Sequence, residues 1–345
     1  MEENIAKLES VMVLLVKSVL LAILIEKNLL KQRKLKMKIL GVGNAIVDVI
    51  CKVDENFLNK NSLTKSTMKL VDESEFKRLL SNLKIEKTIA GGSVANSIVG
   101  LAQLGNDVGF IGKVNQDDLG KRYEEDLKKE QVKYFYSKKK ERLPTGTCLI
   151  LITPDSERTM CTFLGVAGMI DESDIDLDAV KKSQITFLEG YLWDKGGPKK
   201  AFEKAINNSN KVAMSLSDQF CVDRHKTEFL DLVKNKLDIT FCNEQEILSL
   251  ISSNNFDDAI SFGKNLGKLI VITRGKKGSI AIRKNEVVDF GIEKDLKILD
   301  LTGAGDLFAS GFLHGYVNNL SLKENLDKGT KMSSKIIQKI GARLS

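Results

Sequence analysis

Three observations predict an α/β fold with a mainly parallel central sheet, helices on both of its faces and a small β-strand lid. From residue 37 onward, short apolar strands alternate with amphipathic helical stretches, the pattern of a parallel sheet covered on both sides. Glycine-rich turns stand at the ends of several of those strands, the place where ligands of open α/β sheets bind. One stretch breaks the rhythm: Thr145–Thr153 and Arg158–Phe163 read as two strands around the turn Pro154-Asp155-Ser156-Glu157. With 42% hydrophobic and 29% charged residues, the 345-residue chain has an ordinary globular composition.

Residues 1–36 look foreign to this pattern. Val11 to Ile25 is apolar except for Lys17 and Ser18, fifteen residues, short of the ~20 that span a bilayer. Glu2, Glu3 and Glu9 stand where a secretory signal carries basic residues. Met37 then leads directly into an apolar strand. The expected organisation is therefore an N-terminal extension outside the fold (1–36), such as a misplaced start codon produces, followed by one domain (37–345). A membrane-associating amphipathic helix is the competing reading of the extension, and mass spectrometry of the native N-terminus separates the two.

Within the domain the expected strands are Ile39–Val42, Asp107–Ile111, Ile185–Leu188, Lys211–Ser215, Ile239–Cys242, Leu269–Thr273 and Ser279–Arg283. Helical spacing marks Ser93–Leu104, Leu119–Glu130, Lys199–Asn207 and Asn243–Ser252 between them. The lid draws on residues of about 49–71 and 145–165, a cover that could exclude water from a site at the sheet edge.

Composition excludes several classes. The net charge is +7, but the densest basic run, Lys138-Lys139-Lys140, is short and adjoins Glu141, so no nucleic-acid surface is expected. Five cysteines without a C-x-x-C pair and only two histidines, His225 and His314, leave too few ligands for a zinc site and suit reduced thiols in the cytoplasm.

The chemistry concentrates at four turns and one strand end. Asp300-Leu301-Thr302-Gly303-Ala304-Gly305-Asp306 lies between an expected strand at Lys297–Leu299 and a helical pattern through Phe308, Phe312 and Tyr316. Gly303, Ala304 and Gly305 would there open a helix whose first amides can hold a phosphate. Asp306 at the same edge could take a proton from a hydroxyl; the plainer reading is a glycine turn with an Asp cap. Ala90-Gly91-Gly92-Ser93-Val94-Ala95-Asn96 opens another helix, either as a ligand-approaching turn through Gly91, Gly92 and Asn96 or as a connection capped by Ser93. In Gly41-Val42-Gly43-Asn44-Ala45-Ile46-Val47-Asp48, Ile46 departs from the dinucleotide fingerprint, and Asn44 and Asp48 suit vicinal hydroxyls. Asn243 and Glu246 have capping-box spacing and could also hold magnesium through water. Thr273-Arg274-Gly275-Lys276-Lys277-Gly278 suits phosphate or nucleotide contact, or simply a tight turn. Neither a G-x-x-x-x-G-K-[ST] loop nor an H-R-D loop occurs.

In this order the motifs resemble the ribokinase-like (PfkB) carbohydrate kinase family. Its G-G-x-x-x-N hallmark corresponds to Gly91–Asn96, its D-T-x-G-A-G-D to Asp300–Asp306, its N-x-x-E to Asn243–Glu246 and its T-x-G-x-x-G to Thr273–Gly278. The resemblance implies a three-layer α/β/α kinase that moves the γ-phosphoryl group of ATP to a primary alcohol of a nucleoside or sugar. It implies Asp306 as base, with Gly303, Ala304 and Gly305 as anion hole. Asn243 and Glu246 would organise Mg2+ and the ATP phosphates, with Thr273, Gly275 and Gly278 at the nucleotide. Asn44, Asp48, Gly91, Gly92 and Asn96 would grip the small-molecule acceptor. In cation-binding members, groups around Asp300 and Thr302 lie near the ion, so K+ joins the implied cofactors. Gly43–Asp48, Asp155–Met160 and the ending Ile340–Arg343 look most like adenosine-kinase-type members, with Phe163 and Leu164 expected as an adenine wall. A kinase for a free sugar (ribose, fructose or 2-keto-3-deoxygluconate type) and a non-catalytic binding protein on the same fold are the alternatives, as monomer or homodimer.

Overall fold

The computed structural model describes residues 17, 20, 37–137, 139–193 and 196–344. The expectations for the 1–36 extension thus fall outside the described residues, Lys17 and Leu20 apart, and the chain divides into two units between Lys36 and Met37.

In chain order the strands are β1 (Met37–Val42), β2 (Ile46–Lys52), β3 (Met68–Leu70), β4 (Ile85–Ala90), β5 (Val108–Ile111), β6 (Lys133–Tyr134), β7 (Gly146–Ile152), β8 (Arg158–Phe163), β9 (Ser183–Glu189), β10 (Val212–Ser215), β11 (Ile239–Asn243), β12 (Leu269–Thr273), β13 (Ser279–Arg283) and β14 (Glu286–Phe290). Nine of them form the central sheet in the order β14-β13-β12-β11-β10-β9-β1-β5-β6. From β12 to β6 every pairing is parallel. The last two strands, β13 and β14, return antiparallel. All seven expected strands are present, as are the four expected helices, within a residue or two at each end.

Strand alternation sends side chains to two separate cores. Leu40, Val42, Ile270 and Ile272 pack on one side, with the helices Gly197–Asn208, Gln219–Asp231, Glu244–Ile251 and Phe256–Leu266. Ile39, Ile185, Leu269 and Val271 pack on the other, with Ser93–Gln103, Asp118–Lys129, Ala304–Val317 and Leu322–Ile336. These are the two helical layers of an α/β/α sandwich. The Ala304 and Leu322 helices pack closely, their approach permitted at Gly311, where a Cβ would lie 2.3 Å from Lys328 O.

The lid is a second sheet, in the order β3-β8-β7-β2-β4. Its alternation is equally clear. Val49, Cys51, Leu149, Leu151 and Cys161 build a small core with Leu58, Phe76 and Leu79 of the helices Glu55–Lys60 and Glu73–Leu80. Ile50, Cys148, Ile150 and Met160 face the other way.

Three features differ from the sequence expectation. Residues 297–299 form no strand; Leu299 and Asp300 instead donate to Ile337 O at 2.8 and 3.3 Å, and Ile298 and Leu299 are exposed. β4 belongs to the lid although it lies outside 49–71 and 145–165, because it is an edge strand whose Glu86 and Lys87 interrupt any apolar run. β14, half-exposed at the far edge, carries the same weak pattern.

Candidate active site

A cleft of about 300 Å³ separates the lid from the carboxyl ends of the central strands. Asn44 just beyond β1, Glu189 at the end of β9, Ser215 at the end of β10, Asn243 at the end of β11 and Thr273 at the end of β12 all line it. Parallel strands put all these termini on one edge, which is why residues far apart in sequence meet there.

The floor is the start of the Ala304–Val317 helix. Gly303 precedes it with a left-handed φ of 79°, and a Cβ at that position would stand 2.8 Å from the Cα of Ala342. Asp300 is fully buried and locks this turn: Oδ1 accepts from Thr302 N (2.8 Å) and Oγ1 (2.6 Å), and Oδ2 accepts from Gly341 N (2.8 Å). The Ala304 amide turns back to Leu301 O at 3.2 Å, and Leu307 N donates to Gly303 O at 2.8 Å. Among the described residues no backbone acceptor meets the amides of Gly305 and Asp306, at the positive end of the helix. Ala304 therefore differs from its expected place: Gly303 and Gly305 line the cleft, Ala304 does not.

Asp306 faces the cleft beside those amides. Its Oδ1 accepts from Ser93 Oγ at 2.6 Å and its Oδ2 from Asn96 Nδ2 at 3.0 Å, while Ser97 Oγ donates to its main-chain oxygen at 2.9 Å. Burial pushes its pKa up, and the Ser93 and Asn96 hydrogen bonds work against that rise. Ser93 is the first helical residue rather than the cap, a place taken by Gly92. Its hydroxyl is thereby free to reach Asp306.

At the lid end, Asn44 and Asp48 are 3% and 4% exposed. Asn44 donates from N and Nδ2 to Glu189 Oε1 at 3.0 and 2.8 Å, and Val94 N donates to Glu189 Oε2 at 2.8 Å. Asn44 Oδ1 is left without a partner among the described residues, in the cleft. Burial raises Glu189 to about 7 despite its three donors. Asp48 is likewise raised to about 7 by burial, against the nearby Arg343 guanidinium. Gly91 makes room for it, since a Cβ there would meet the Asp48 carboxylate at 2.2 Å. Gly92 lines the cleft and Gly91 stands behind it.

The lid wall is apolar, formed by Ile46, Leu70, Cys148, Ile150, Met160 and Leu164. Phe163 is not part of it. Phe163 shares strand parity with Cys161 and packs into the lid's own core, so only Leu164 of the expected pair reaches the cleft. Arg158, of the opposite parity, lines the cleft with its Nε buried and unpartnered among the described residues.

At the opposite end Asn243 and Glu246 form the capping box that their spacing predicts. Asn243 N and Nδ2 donate to Glu246 at 3.0 and 2.6 Å, and Glu246 N donates to Asn243 Oδ1 at 2.8 Å. Both residues also line the cleft, and burial raises Glu246 to about 7. Thr273 is at the cleft, whereas Gly275 and Gly278 are not. Gly278 has a local reason: at φ 85° its Cβ would collide with Phe290 O at 2.1 Å. Arg274 pairs with Glu244 at 3.0 Å and stacks over Phe256, so its charge is already matched. His314 packs against Asn106, away from the cleft. All five cysteines are buried and free, and no cluster of three or more metal-ligating side chains occurs among the described residues.

Sequence reasoning does not single out Glu189, Arg158, Ser93, Arg224 or Arg343 as site residues. Strand parity marks Arg158, and a glutamate closing an apolar strand is a signal for Glu189. Arg343 belongs to the ending Ile340–Arg343 that resembles adenosine-kinase-type members, but its spacing assigns it no role, and it reaches the site only through the folded tail. No helix among the described residues is long and apolar enough to cross a membrane.

Residues 39–345 match the pfkB family of carbohydrate kinases. Among solved structures the chain is similar to the adenosine kinase of Sinorhizobium meliloti, with 36% identity, a TM-score of 0.87, and 89% of this chain and 96% of that one covered. It is equally similar in sequence to a probable sugar kinase of Rhizobium etli CFN 42, at 36% identity and a TM-score of 0.85, with 89% and 95% covered. A 5-dehydro-2-deoxygluconokinase of Mesomycoplasma hyopneumoniae (strain 232) is 29% identical over 276 residues, 75% of this chain and 81% of that protein. With the ribokinase-like α/β sandwich and its cleft, these matches establish that the chain belongs to the pfkB family of carbohydrate kinases and is a nucleoside or sugar kinase.

Proposed function

We propose that the protein is an adenosine kinase, moving the γ-phosphoryl group of ATP to the primary hydroxyl of the nucleoside. The observation that carries this reading is the position of Asp306, between the Gly305 and Asp306 amides, unpartnered among the described residues, and the hydroxyl-reading pair Asn44 and Asp48. Asp306 takes the proton of the acceptor hydroxyl as that oxygen attacks the γ-phosphorus and the bond to the β-phosphate oxygen breaks. Ser93 and Asn96 each occupy one carboxylate oxygen and leave a lone pair for this transfer. The free amides and Arg158, whose Nε needs an acceptor, hold charge on the transferring group. Asp48 and Asn44 Oδ1 accept from ribose hydroxyls.

Asn243 and Glu246 would hold magnesium together with the nucleotide, indirectly, because the Glu246 oxygens are engaged by Asn243. The ion would supply neutralisation of phosphate charge. The purine reading rests on the apolar lid wall, which offers a flat base contact area and a free sugar little to bond, and on the Sinorhizobium relative.

A second reading, a sugar acid as acceptor, has its own support. Arg224 lines the cleft with no ion pair among the described residues, and 5-dehydro-2-deoxygluconokinases are among the relatives. ATP consumption with magnesium, with and without potassium, separates them. Adenosine should exceed ribose, fructose and the sugar acids in kcat/KM by at least about tenfold. A sugar acid that outperforms adenosine overturns the purine reading.

A further inference from the structure

Arg343, third from the C-terminus, is 6% exposed and has no carboxylate within ion-pair distance among the described residues. A buried charge without a direct counterion is costly, so its contacts call for an explanation. Its Nε donates to Asn96 Oδ1 at 3.2 Å and its Nη2 reaches Gly91 O at 3.5 Å. Asn96 in turn donates from Nδ2 to Asp306 Oδ2. An asparagine amide can present either end, but a guanidinium can only donate. Arg343 thus forces the oxygen of Asn96 toward the tail and its NH2 toward Asp306.

The tail is fixed where this requires it. Gly341 N is held by Asp300 Oδ2, and the fully buried Ala342 packs under Gly303. The tail therefore closes the catalytic turn from behind and brings a cation near enough to both Asp48 and Asp306 to favour their charged forms. Other titratable or charged groups facing them are Asp300 in the turn, Glu189 on β9, Arg158 on β8, Cys148 on β7 and Tyr123 of the Asp118–Lys129 helix, whose hydroxyl pairs with Arg343 and also donates to Gly91 O at 3.2 Å.

We propose that Arg343 is a positioning residue of the phosphoryl transfer: from the C-terminal tail it sets the Asn96 amide that orients Asp306, and it supplies the positive charge facing Asp48 and Asp306. The inference rests on Asp306 acting as the base. Two properties are thereby assigned to one side chain, and they separate by substitution. Arg343→Gln keeps a donor for Asn96 without the charge, and Arg343→Lys keeps the charge without the guanidinium geometry.

The test is steady-state kinetics of the full chain over pH 5–9 for wild type, Arg343→Met, Arg343→Lys and Arg343→Gln, with Asp306→Asn alongside. In Arg343→Met, kcat should fall about 10- to 100-fold with KM for ATP nearly constant. The acid limb of kcat/KM should move upward by about half to one pH unit, since losing the cation makes both carboxylates harder to ionise. Lys should restore the limb, and Gln part of kcat but not the limb. If the Met variant does not fold, the Lys and Gln variants carry the same readouts. A wild-type pH profile in every variant, or a deficit confined to KM for ATP, overturns the proposal. Asp306→Asn with undiminished turnover overturns the base assignment instead. An inactive Asp306→Asn beside unaffected Arg343 variants overturns only the tail's role.

Discussion

Asp306 and Asp48 share one cleft and carry different tasks, which substitutions can separate. Asp306→Asn keeps the Ser93 and Asn96 neighbours but removes the proton acceptor; kcat should fall about 10²–10⁴-fold, while ATP binding followed by titration stays close to wild type. Asp48→Asn should act mainly on the acceptor. Losing hydrogen bonds to a charged group, worth about 1.5–3 kcal/mol, should raise KM for the nucleoside at least tenfold with a smaller change in KM for ATP. An equal rise in both constants would contradict the division of the cleft. Asp306, Asp48, Asn44 and Asn96 are legible in the sequence because each sits at a fixed offset from a strand end or a glycine pair. Phe163 departs from its expected place for a reason the sequence itself contains: Arg158, Met160 and Thr162 share one face of β8, and Thr159, Cys161 and Phe163 share the other. That period places Phe163 in the lid core and points to Arg158.

The turn into the Ala304–Val317 helix holds two glycines with different obligations. Gly303 is left-handed and pressed against the Ala342 backbone, so Gly303→Ala should destabilise the fold by about 1–3 kcal/mol, seen as a lower Tm. A Cβ at Gly305 would meet nothing within 4 Å, and in a helix alanine is the better former. Gly305→Ala should therefore hold or raise Tm while weakening phosphoryl transfer, because its methyl occupies the anion's approach. A Gly305→Ala enzyme of full activity would sink the anion-hole assignment. At this scale the sequence is least informative about edges: β4 and β14 lack a clean apolar alternation because one side of each meets solvent or a helix, not a second strand. The expected strand at 297–299 is apolar for a different reason, lying exposed beside the tail at Ile337.

For the molecule as a whole, the cleft concentrates three carboxyls raised to about 7 by burial, Asp48, Glu189 and Glu246. Between the ordinary carboxylate range and pH 7 the folded state binds more protons at these groups than the unfolded chain. Their contribution to stability is therefore lost as pH rises through that window. Carboxylates held low by partners, such as Asp117, Glu228 and Glu244, lose their contribution only as pH falls through the acid range below. The ligand-free protein should accordingly show a higher Tm at pH 6 than at pH 8, and Asp48→Asn should raise Tm at pH 8. Thermal unfolding across that range checks both; a Tm that climbs from pH 6 to pH 8 would contradict them. Such a site is destabilised when empty and acquires its partners when substrate arrives.

The sequence alone determined the sandwich, the lid hairpin and the strand-end turns, since hydrophobic period and glycine placement are local properties that the chain carries everywhere it goes. It also determined the residue types at the cleft, with Asp306 foremost. Tertiary structure alone decided which carboxyls are desolvated, that Glu189 binds Asn44 across 145 positions, that the Ala304 amide turns away from the cleft, and that Arg343 reaches Asn96 across 247. Burial and long-range pairing are properties of the assembled layers, and no window of sequence contains both partners.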